Sequence, residues 1–178
     1  MKINNNAPGS PHLISLTGIG AAPVLSLTPT DTVSFGNQPV GVASAPPATV
    51  TLTNTGGAPL IISSITISGD FTQTNTCGVL PATLAVGAPP CTFSITFTPS
   101  VAEVLRGAVT IEDNAPGSPH AIFLNGVGAV PGVQLSPESL NFDPQGVGTI
   151  SASQTATLTN TGGAPLIISS ITPSGDFT

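Results

Sequence analysis

Apolar and hydroxyl-bearing residues alternate along much of the chain. Ala48–Asn54 places Ala, Val and Leu on one side and Thr on the other, and Cys91–Thr98 places Phe93, Ile95 and Phe97 opposite Thr and Ser. A period of two is typical of β-strands that bury one face. The pattern therefore predicts two strands that contribute to one hydrophobic core.

Turn residues bound the other strands that this pattern predicts. Asn54-Thr55-Gly56-Gly57 is expected to turn the chain because Asn and Gly tolerate positive φ. The pattern shifts face at Ser63-Ser64, which predicts a β-bulge. The first predicted strand has two segments, Val24–Leu27 and Val33–Phe35, on either side of a turn at Pro29. The other predicted strands are Leu60–Ile67, Thr72–Cys77, Leu105–Glu112 and Ala121–Val127.

Long segments of the sequence occur twice. The string LTNTGGAPLIISSIT stands at Leu52–Thr66 and again at Leu158–Thr172, and NAPGSPH stands at Asn6–His12 and at Asn114–His120. The two offsets are 106 and 108 residues, and single-residue gaps in loops account for the difference. A period of about 107 residues is the size of one β-sandwich domain.

The repeats divide the chain into three parts. Residues 23–130 form one complete repeat, residues 1–22 are the last strand of a preceding repeat, and residues 131–178 are the first half of a following one. We interpret the chain as a segment of a longer tandem array. About seven strands per repeat predict an all-β fold, an immunoglobulin-like seven-stranded β-sandwich. The chain has no Trp and no widely spaced Cys pair, so an antibody-type domain is not expected.

Composition and charge exclude several classes of function. Charged residues are only 6% of the chain, with two cations in total and a formal net charge of −6. Binding to nucleic acid or to an anionic membrane surface requires several cations, so neither partner is expected. No apolar run approaches the roughly 20 residues that a membrane-spanning helix needs.

Three strings in the complete repeat carry a family resemblance. They are NTGGAPLIISSITISGDF, TNTCGVLPATLAVGAPPCTFSITFTPS and GAVTIEDNAPGSPHAIFLNGVGA. Over Val24–Ala129 the chain resembles the bacterial choice-of-anchor D repeats, which belong with the abnormal-spindle/Hydin (ASH) domains. The resemblance implies an immunoglobulin-like sandwich from long surface or secreted multidomain proteins. Eukaryotic members of the family are structural and targeting modules of cilia and centrosomes, and the family brings no catalytic residues.

Cys77 and Cys91 are the only cysteines, with 13 residues between them. Two thiolates without His partners do not complete a zinc site. A disulfide would join the Thr72–Cys77 strand to the start of the Cys91–Thr98 strand, and it would indicate an oxidising compartment. Two reduced, half-buried thiols are the alternative.

Several other positions carry groups that chemistry can use. His12 and His120 occupy the same repeat position beside Gly, Ser and Pro, so each is expected to face solvent at the start of a strand. Glu112-Asp113-Asn114 offers oxygen ligands for calcium, but a full site needs about six to eight, and a solvated hairpin tip is expected. Asp70 and Asp176 both stand in the string Gly-Asp-Phe-Thr, where Asp is expected to accept a backbone N–H of a turn.

These residues form no catalytic, cofactor-binding or metal-binding constellation. We therefore expect a non-enzymatic structural repeat, without cofactor or metal, that spaces parts of a large bacterial surface or secreted protein. The linker Gly128–Gly132 is short and contains Pro, which suits a stiff array. One alternative is an adhesive module that binds a protein or a carbohydrate through its Thr-rich faces. Another is an intracellular ciliary or cytoskeletal module with reduced cysteines.

The expected partners are the neighbouring repeats of the same parent chain. The incomplete parts at the two ends also suggest self-association. The strand expected at Leu13–Ile19 of one molecule would pair with residues Val133–Thr178 of another, because unpaired strand edges accept further strands. No nucleic acid and no membrane insertion are expected, and a protein or polysaccharide ligand stays open.

Overall fold

The computed structural model describes all 178 residues, which form thirteen β-strands and no helix. The strands are β1 (Lys2–Ile3), β2 (His12–Leu13), β3 (Leu25–Thr28), β4 (Thr32–Pro39), β5 (Ala48–Asn54), β6 (Leu60–Ile67), β7 (Phe71–Asn75), β8 (Ala82–Leu84), β9 (Cys91–Phe97), β10 (Val104–Asp113), β11 (His120–Ala129), β12 (Val133–Ser136) and β13 (Thr157–Asn160).

Two sheets pack face to face and enclose one core. One has the strand order β4-β11-β10-β6-β8, and the other has the order β3-β5-β9-β7. Seventeen buried residues between Leu27 and Leu124 fill the space between the sheets. The all-β, immunoglobulin-like sandwich is thus confirmed, with nine strands in place of the seven predicted.

The predicted first strand is two strands in different sheets. Residues of β3 pair antiparallel with β5, whereas β4 runs parallel to β11 in the opposite sheet. Leu27 and Val33 both point into the core, so the alternation continues across the turn at Pro29. Because a period of two looks the same in either sheet, the pattern could not reveal the change of sheet.

The bulge expected at Ser63-Ser64 is confirmed. In the ladder between β6 and β10, Ile62 is opposite Asp113 and Ser64 is opposite Glu112, so Ser63 is the extra residue. The Ser63 hydroxyl donates a hydrogen bond to the Glu112 carbonyl oxygen at 2.9 Å. The polar side chain thereby satisfies a backbone group at the irregularity.

The segment between β7 and β9 differs from the prediction. The strand expected at Thr72–Cys77 ends at Asn75, and Cys77 lies in the loop that follows. Residues 82–84 form β8, which pairs with Leu60–Ile62 at the edge of the five-stranded sheet. A segment of three residues between Pro and Gly is too short to show a period of two, so this strand could not be predicted from the alternation.

Phenylalanine rings fill one end of the core. The ring centroids of Phe71 and Phe97 lie 4.8 Å apart, and Phe35 packs against both rings at 5.5 and 5.7 Å. Gly107 of β10 and Gly126 of β11 face these rings, and a Cβ at either position would overlap a ring atom. Glycine there lets the two sheets approach over a bulky aromatic layer.

The chain ends repeat parts of the sandwich in the same register. In β1–β2, Lys2 lies opposite Leu13, as Thr110 lies opposite Ala121 in β10–β11. In β12–β13, Leu135 lies opposite Leu158, as Leu27 lies opposite Leu52 in β3–β5. Residues 166–172, which repeat the β6 sequence, form no strand. Strands therefore form in the end segments where a pairing partner is present in the chain.

Candidate functional sites: the repeat corner, the hairpin and the open faces

The Asn-Thr-Gly-Gly corner between β5 and β6 is built around one buried amide. The Asn54 Nδ2 donates to the carbonyl oxygens of Ala58 at 2.9 Å and of Leu84 at 3.1 Å. Its Oδ1 accepts from the N–H groups of Gly56 at 3.0 Å and of Val24 at 3.4 Å. One side chain therefore ties the corner to β8 and to the chain that precedes β3.

The glycines of this corner act through close approach and not through positive φ. The turn was expected to use positive φ at Asn and Gly. This expectation was wrong, because Asn54, Gly56 and Gly57 all have negative or extended φ. A Cβ at Gly56 would overlap the backbone of Ala22 and Val24. The Gly57 N–H donates to the Ala22 carbonyl at 3.0 Å. The absence of a Cβ lets the incoming linker lie against the corner.

The second copy of the corner makes the same contacts with its own linker. The Asn160 Nδ2 donates to the Ala164 carbonyl at 2.8 Å, and its Oδ1 accepts from Gly132 N–H at 3.1 Å. The Gly163 N–H donates to the Val130 carbonyl at 3.1 Å, as Gly57 does to Ala22. Linker and corner thus form a unit that recurs with the repeat.

This second corner also contacts the body of the complete sandwich. Ala129 and Ala164 are buried, and a Cβ on Gly163 would lie 3.1 Å from the Ala129 Cβ and 3.0 Å from the Asn37 Nδ2. Ala129 is the last residue of β11, so the expected linker Gly128–Gly132 is reduced to residues 130–132. Three residues leave little freedom between one repeat and the next.

Cys77 and Cys91 are joined by a disulfide, with their Cα atoms 4.9 Å apart. The bond links the loop after β7 to the first residue of β9. Hydrogen bonds flank it, because the Thr76 N–H donates to the Thr92 carbonyl at 3.0 Å and the Thr92 N–H donates to the Thr76 hydroxyl at 2.9 Å. These hydrogen bonds and the disulfide together hold Thr76 and Cys77 against β9 of the four-stranded sheet.

His120 is not the freely solvated residue expected from its neighbours. Its Nδ1 lies 2.8 Å from the Asp113 Oδ2, with 25% of the histidine side chain and none of the aspartate side chain exposed. The hairpin between β10 and β11 brings together two residues that are seven positions apart. His12 stays exposed, and in the first copy of this hairpin Asn5 takes the place of Asp113. The sequence near His120 offered no local signal for this contact, which depends on the register that sets Ile111 opposite His120.

In the Glu112-Asp113-Asn114 cluster, Glu112 and Asn114 are exposed, as expected for a hairpin tip, whereas the Asp113 side chain is buried. The Asp113 Oδ1 accepts the Ala115 N–H at 2.7 Å, and the Asn114 Oδ1 accepts the Ile61 N–H at 2.8 Å. One oxygen of Asp113 and the amide oxygen of Asn114 are thus engaged by backbone N–H groups, and the second Asp113 oxygen by His120. No group of three or more His, Cys, Asp or Glu in the chain is placed to hold a metal ion.

Asp70 accepts a backbone N–H, as expected, but from a distant turn. Its Oδ2 accepts the Ser100 N–H at 2.7 Å, thirty residues along the chain. Hydrogen bonds from the Ser100 side chain and backbone lower the pKa of the Asp70 carboxyl below its ordinary value of 3.8. The ionised carboxylate therefore fastens the loop after β9 to the start of β7. The adjacent Phe71 is buried in the core, as expected.

The outer face of the four-stranded sheet carries rows of hydroxyl groups. Thr51 lies opposite Thr28 on one side and Thr92 on the other, and Ser94 lies between Thr49 and Thr74. None of the strands β3, β5, β7 and β9 contains a charged residue. This face is therefore a neutral surface of hydroxyls about 4.8 Å apart across the strands.

Two cavities open on the surface. A shallow one of about 270 Å³ lies between Leu25 and His120. The other, of about 1130 Å³, is bounded only by residues 135–178. All of these residues follow the nine-stranded sandwich in the chain. Neither cavity gathers a set of catalytic side chains.

Three solved structures are similar to part of the chain. A protein of unknown function from Porphyromonas gingivalis W83 is 19% identical, with a TM-score of 0.48, and the match covers 59% of this chain and 46% of that one. The secreted serine protease VesC from Vibrio cholerae is 11% identical, with a TM-score of 0.44 and coverages of 56% and 22%. The ASH/PapD-like domain 7 of human CEP192 is 14% identical, with a TM-score of 0.38 and coverages of 68% and 96%.

The chain thus spans less than half of the Porphyromonas gingivalis protein and about a fifth of VesC. No protein-family model matches the sequence. No curated protein matches it either. The chain has no helix that is long and apolar enough to cross a membrane.

Proposed function

We propose that this chain is a non-enzymatic spacer, a segment of a tandem array of choice-of-anchor D or ASH-like sandwiches from a bacterial surface or secreted protein. The observation that carries the proposal is the Asn-Thr-Gly-Gly corner, which holds the linker by the same hydrogen bonds at Gly57 and at Gly163. A corner that receives the preceding linker fixes each repeat against its neighbour. The Cys77–Cys91 disulfide supports an oxidising, extracellular location.

The division of the chain follows from the same reasoning. Residues 23–130 are the complete repeat, and residues 1–22 and 131–178 belong to its neighbours in the array. All seventeen residues of the hydrophobic core come from the complete repeat. The partners of this chain are therefore further copies of the repeat before and after it. Self-association through the incomplete end segments is a second, separate proposal.

Insertion of a second copy of residues 23–130 after Val130 tests the spacer. A sandwich with strands of about seven residues and loops at both poles adds roughly 35–40 Å of length. Small-angle X-ray scattering should show the maximum dimension growing by about that amount, with no change in cross-section. A control carries Ala at both glycines of the inserted corner, and its distance distribution should broaden because the linker that precedes the inserted repeat no longer fits against that corner. An extended chain that does not lengthen, or a control that stays equally rigid, contradicts the proposal.

A second candidate function is adhesion through the neutral hydroxyl face. The rows of Thr around Thr51 and Ser94 provide uncharged hydroxyl groups that can donate and accept hydrogen bonds, which suits a polysaccharide or a protein of low charge. A Thr51→Lys substitution would place a charge at the centre of that face. If it removes a measured binding activity while the length of the molecule is unchanged, the adhesive function replaces the spacer.

A further inference from the structure

The outer face of the five-stranded sheet bears an exposed aromatic ring that lies outside the hydrophobic core. Phe123 of β11 has 63% of its surface exposed, although the neighbouring residues 122 and 124 are buried in the core. The equivalent position in the first copy of the hairpin is Ser15. The ring is therefore not a constant feature of the repeated hairpin, whose first copy has a small polar residue at this position.

The same face bears two opposite charges without partners. Arg106 is the only arginine of the chain, and Glu112 lies six residues further along β10. Both side chains are exposed, and the one close pair of ionisable groups in the chain is Asp113 with His120. The residues of β10 alternate between the faces, so Arg106 and Glu112 point the same way, about 20 Å apart.

These groups are arranged symmetrically about the middle of β10. Arg106 and Glu112 are each three residues from Val109. On the neighbouring strand, Phe123 lies opposite Ala108, and Ala121 lies opposite Thr110. A two-fold axis that lies in the interface above Val109, parallel to the sheet and perpendicular to β10, exchanges the two ends of the strand. It places Arg106 of one copy over Glu112 of the other, and Phe123 over Ala121.

We propose that this face is an isologous interface with a second copy of this chain. Each of two symmetric positions pairs a cation with an anion, and each sets a large aromatic ring over a methyl group. Two sheets that pack face to face keep their strands within about 30° of each other, which brings β10 of both copies nearly antiparallel. Phe123 is the central anchor, as aromatic residues are in many interfaces, and the charges form the rim.

Analytical ultracentrifugation of the full chain over a concentration series tests this interface. The wild-type chain should show a monomer–dimer equilibrium that weakens as salt is added. Arg106→Glu should raise the dimer dissociation constant by about tenfold or more, because symmetry converts two attractions into two repulsions. Glu112→Arg should do the same. The double variant with both substitutions should recover the wild-type constant, since the charges are exchanged and still complementary.

Two further variants complete the test. Phe123→Ser takes the residue of the first hairpin copy and should also weaken the dimer, with the thermal unfolding midpoint unchanged. Glu138→Arg, an equal change of charge at an exposed site in the half repeat, should leave the dimer intact. A wild-type chain that stays monomeric, single variants without effect, or a double variant that fails to recover would each overturn the proposal. If the molecules associate through the end segments instead, the charge substitutions on β10 should leave the dimer dissociation constant unchanged.

Discussion

Replacing Gly126 by Ala tests the packing between the two sheets. Gly126 lies in β11 over the ring of Phe97, and a Cβ there would approach both Cδ1 and Cζ of that ring to 2.7 Å. The ring cannot move aside, because Phe97 is fully buried and stacks on Phe71 with the centroids 4.8 Å apart. The added methyl group must therefore displace the strand or force the ring from its preferred rotamer.

Overpacking of this kind costs about 1–3 kcal/mol in the free energy of unfolding. For a domain of this size each kcal/mol lowers the unfolding midpoint by roughly 4–8 °C. The chain has no Trp and no Tyr, so urea and thermal unfolding are best followed by far-ultraviolet circular dichroism. Gly126→Ala should thus lower the midpoint by at least about 4 °C.

The chain supplies its own control for this substitution. Gly18 is the counterpart of Gly126 in the first copy, and a Cβ there meets no atom within 4 Å. Gly18→Ala should change the free energy of unfolding by no more than about 0.5 kcal/mol. In a Phe97→Leu background, Gly126→Ala should cost less than in the wild type, because the ring that it overlaps is gone. Equal effects of the two glycine substitutions would refute the packing argument.

Three further predictions concern the polar and covalent contacts. Asn54→Ala should lower the free energy of unfolding by about 1–3 kcal/mol, because it leaves buried backbone groups unpaired, whereas Asn160→Ala should leave the main unfolding transition unchanged. Asp70 has a lowered pKa in the folded state, so its contribution to stability is complete above its ordinary value of 3.8 and is lost as the pH falls below it. The wild type should therefore lose more stability than Asp70→Asn on acidification below about pH 4, as measured by urea unfolding at each pH. Reduction of the Cys77–Cys91 bond should lower the stability by about 3 kcal/mol, and an unchanged urea midpoint would show that the closed loop does not constrain the unfolded chain.

Local alternation predicted the strands that have one buried and one exposed face. In β9 the residues Phe93, Ile95 and Phe97 are all fully buried, as their spacing indicated. The bulge at Ser63 was predictable for the same reason, since an extra residue shifts the pattern by one position. Such features are encoded within a few neighbouring residues.

Features that depend on distant pairing were not predictable in this way. The parallel pairing of β4 with β11 joins segments about ninety residues apart, and nothing in either segment specifies the partner. The contact between Asp113 and His120 required the register of β10 with β11, and the hydrogen bond from Ser100 to Asp70 required the position of the loop after β9. At these sites the role of a residue depends on the tertiary arrangement, and its neighbours in the sequence do not indicate its partner.

Because one segment occurs twice in the chain, the effect of its local sequence on backbone conformation can be separated from the effect of tertiary contacts. Residues 60–66 and 166–172 have the same seven letters, yet the first lie in β6 between β10 and β8 and the second form no strand. If partner strands and not local propensity fix the conformation, the hydrogen-bonded amides of β6 should exchange with solvent at least about a thousandfold more slowly than their counterparts. Amide exchange followed by NMR distinguishes the two copies by sequential assignment from the residue that follows each of them, Ile67 in one and Pro173 in the other. Similar protection in both copies would mean that the seven letters hold an extended conformation without a partner. Slow exchange in β6 alone would mean that this sequence becomes a strand only when a repeat is complete.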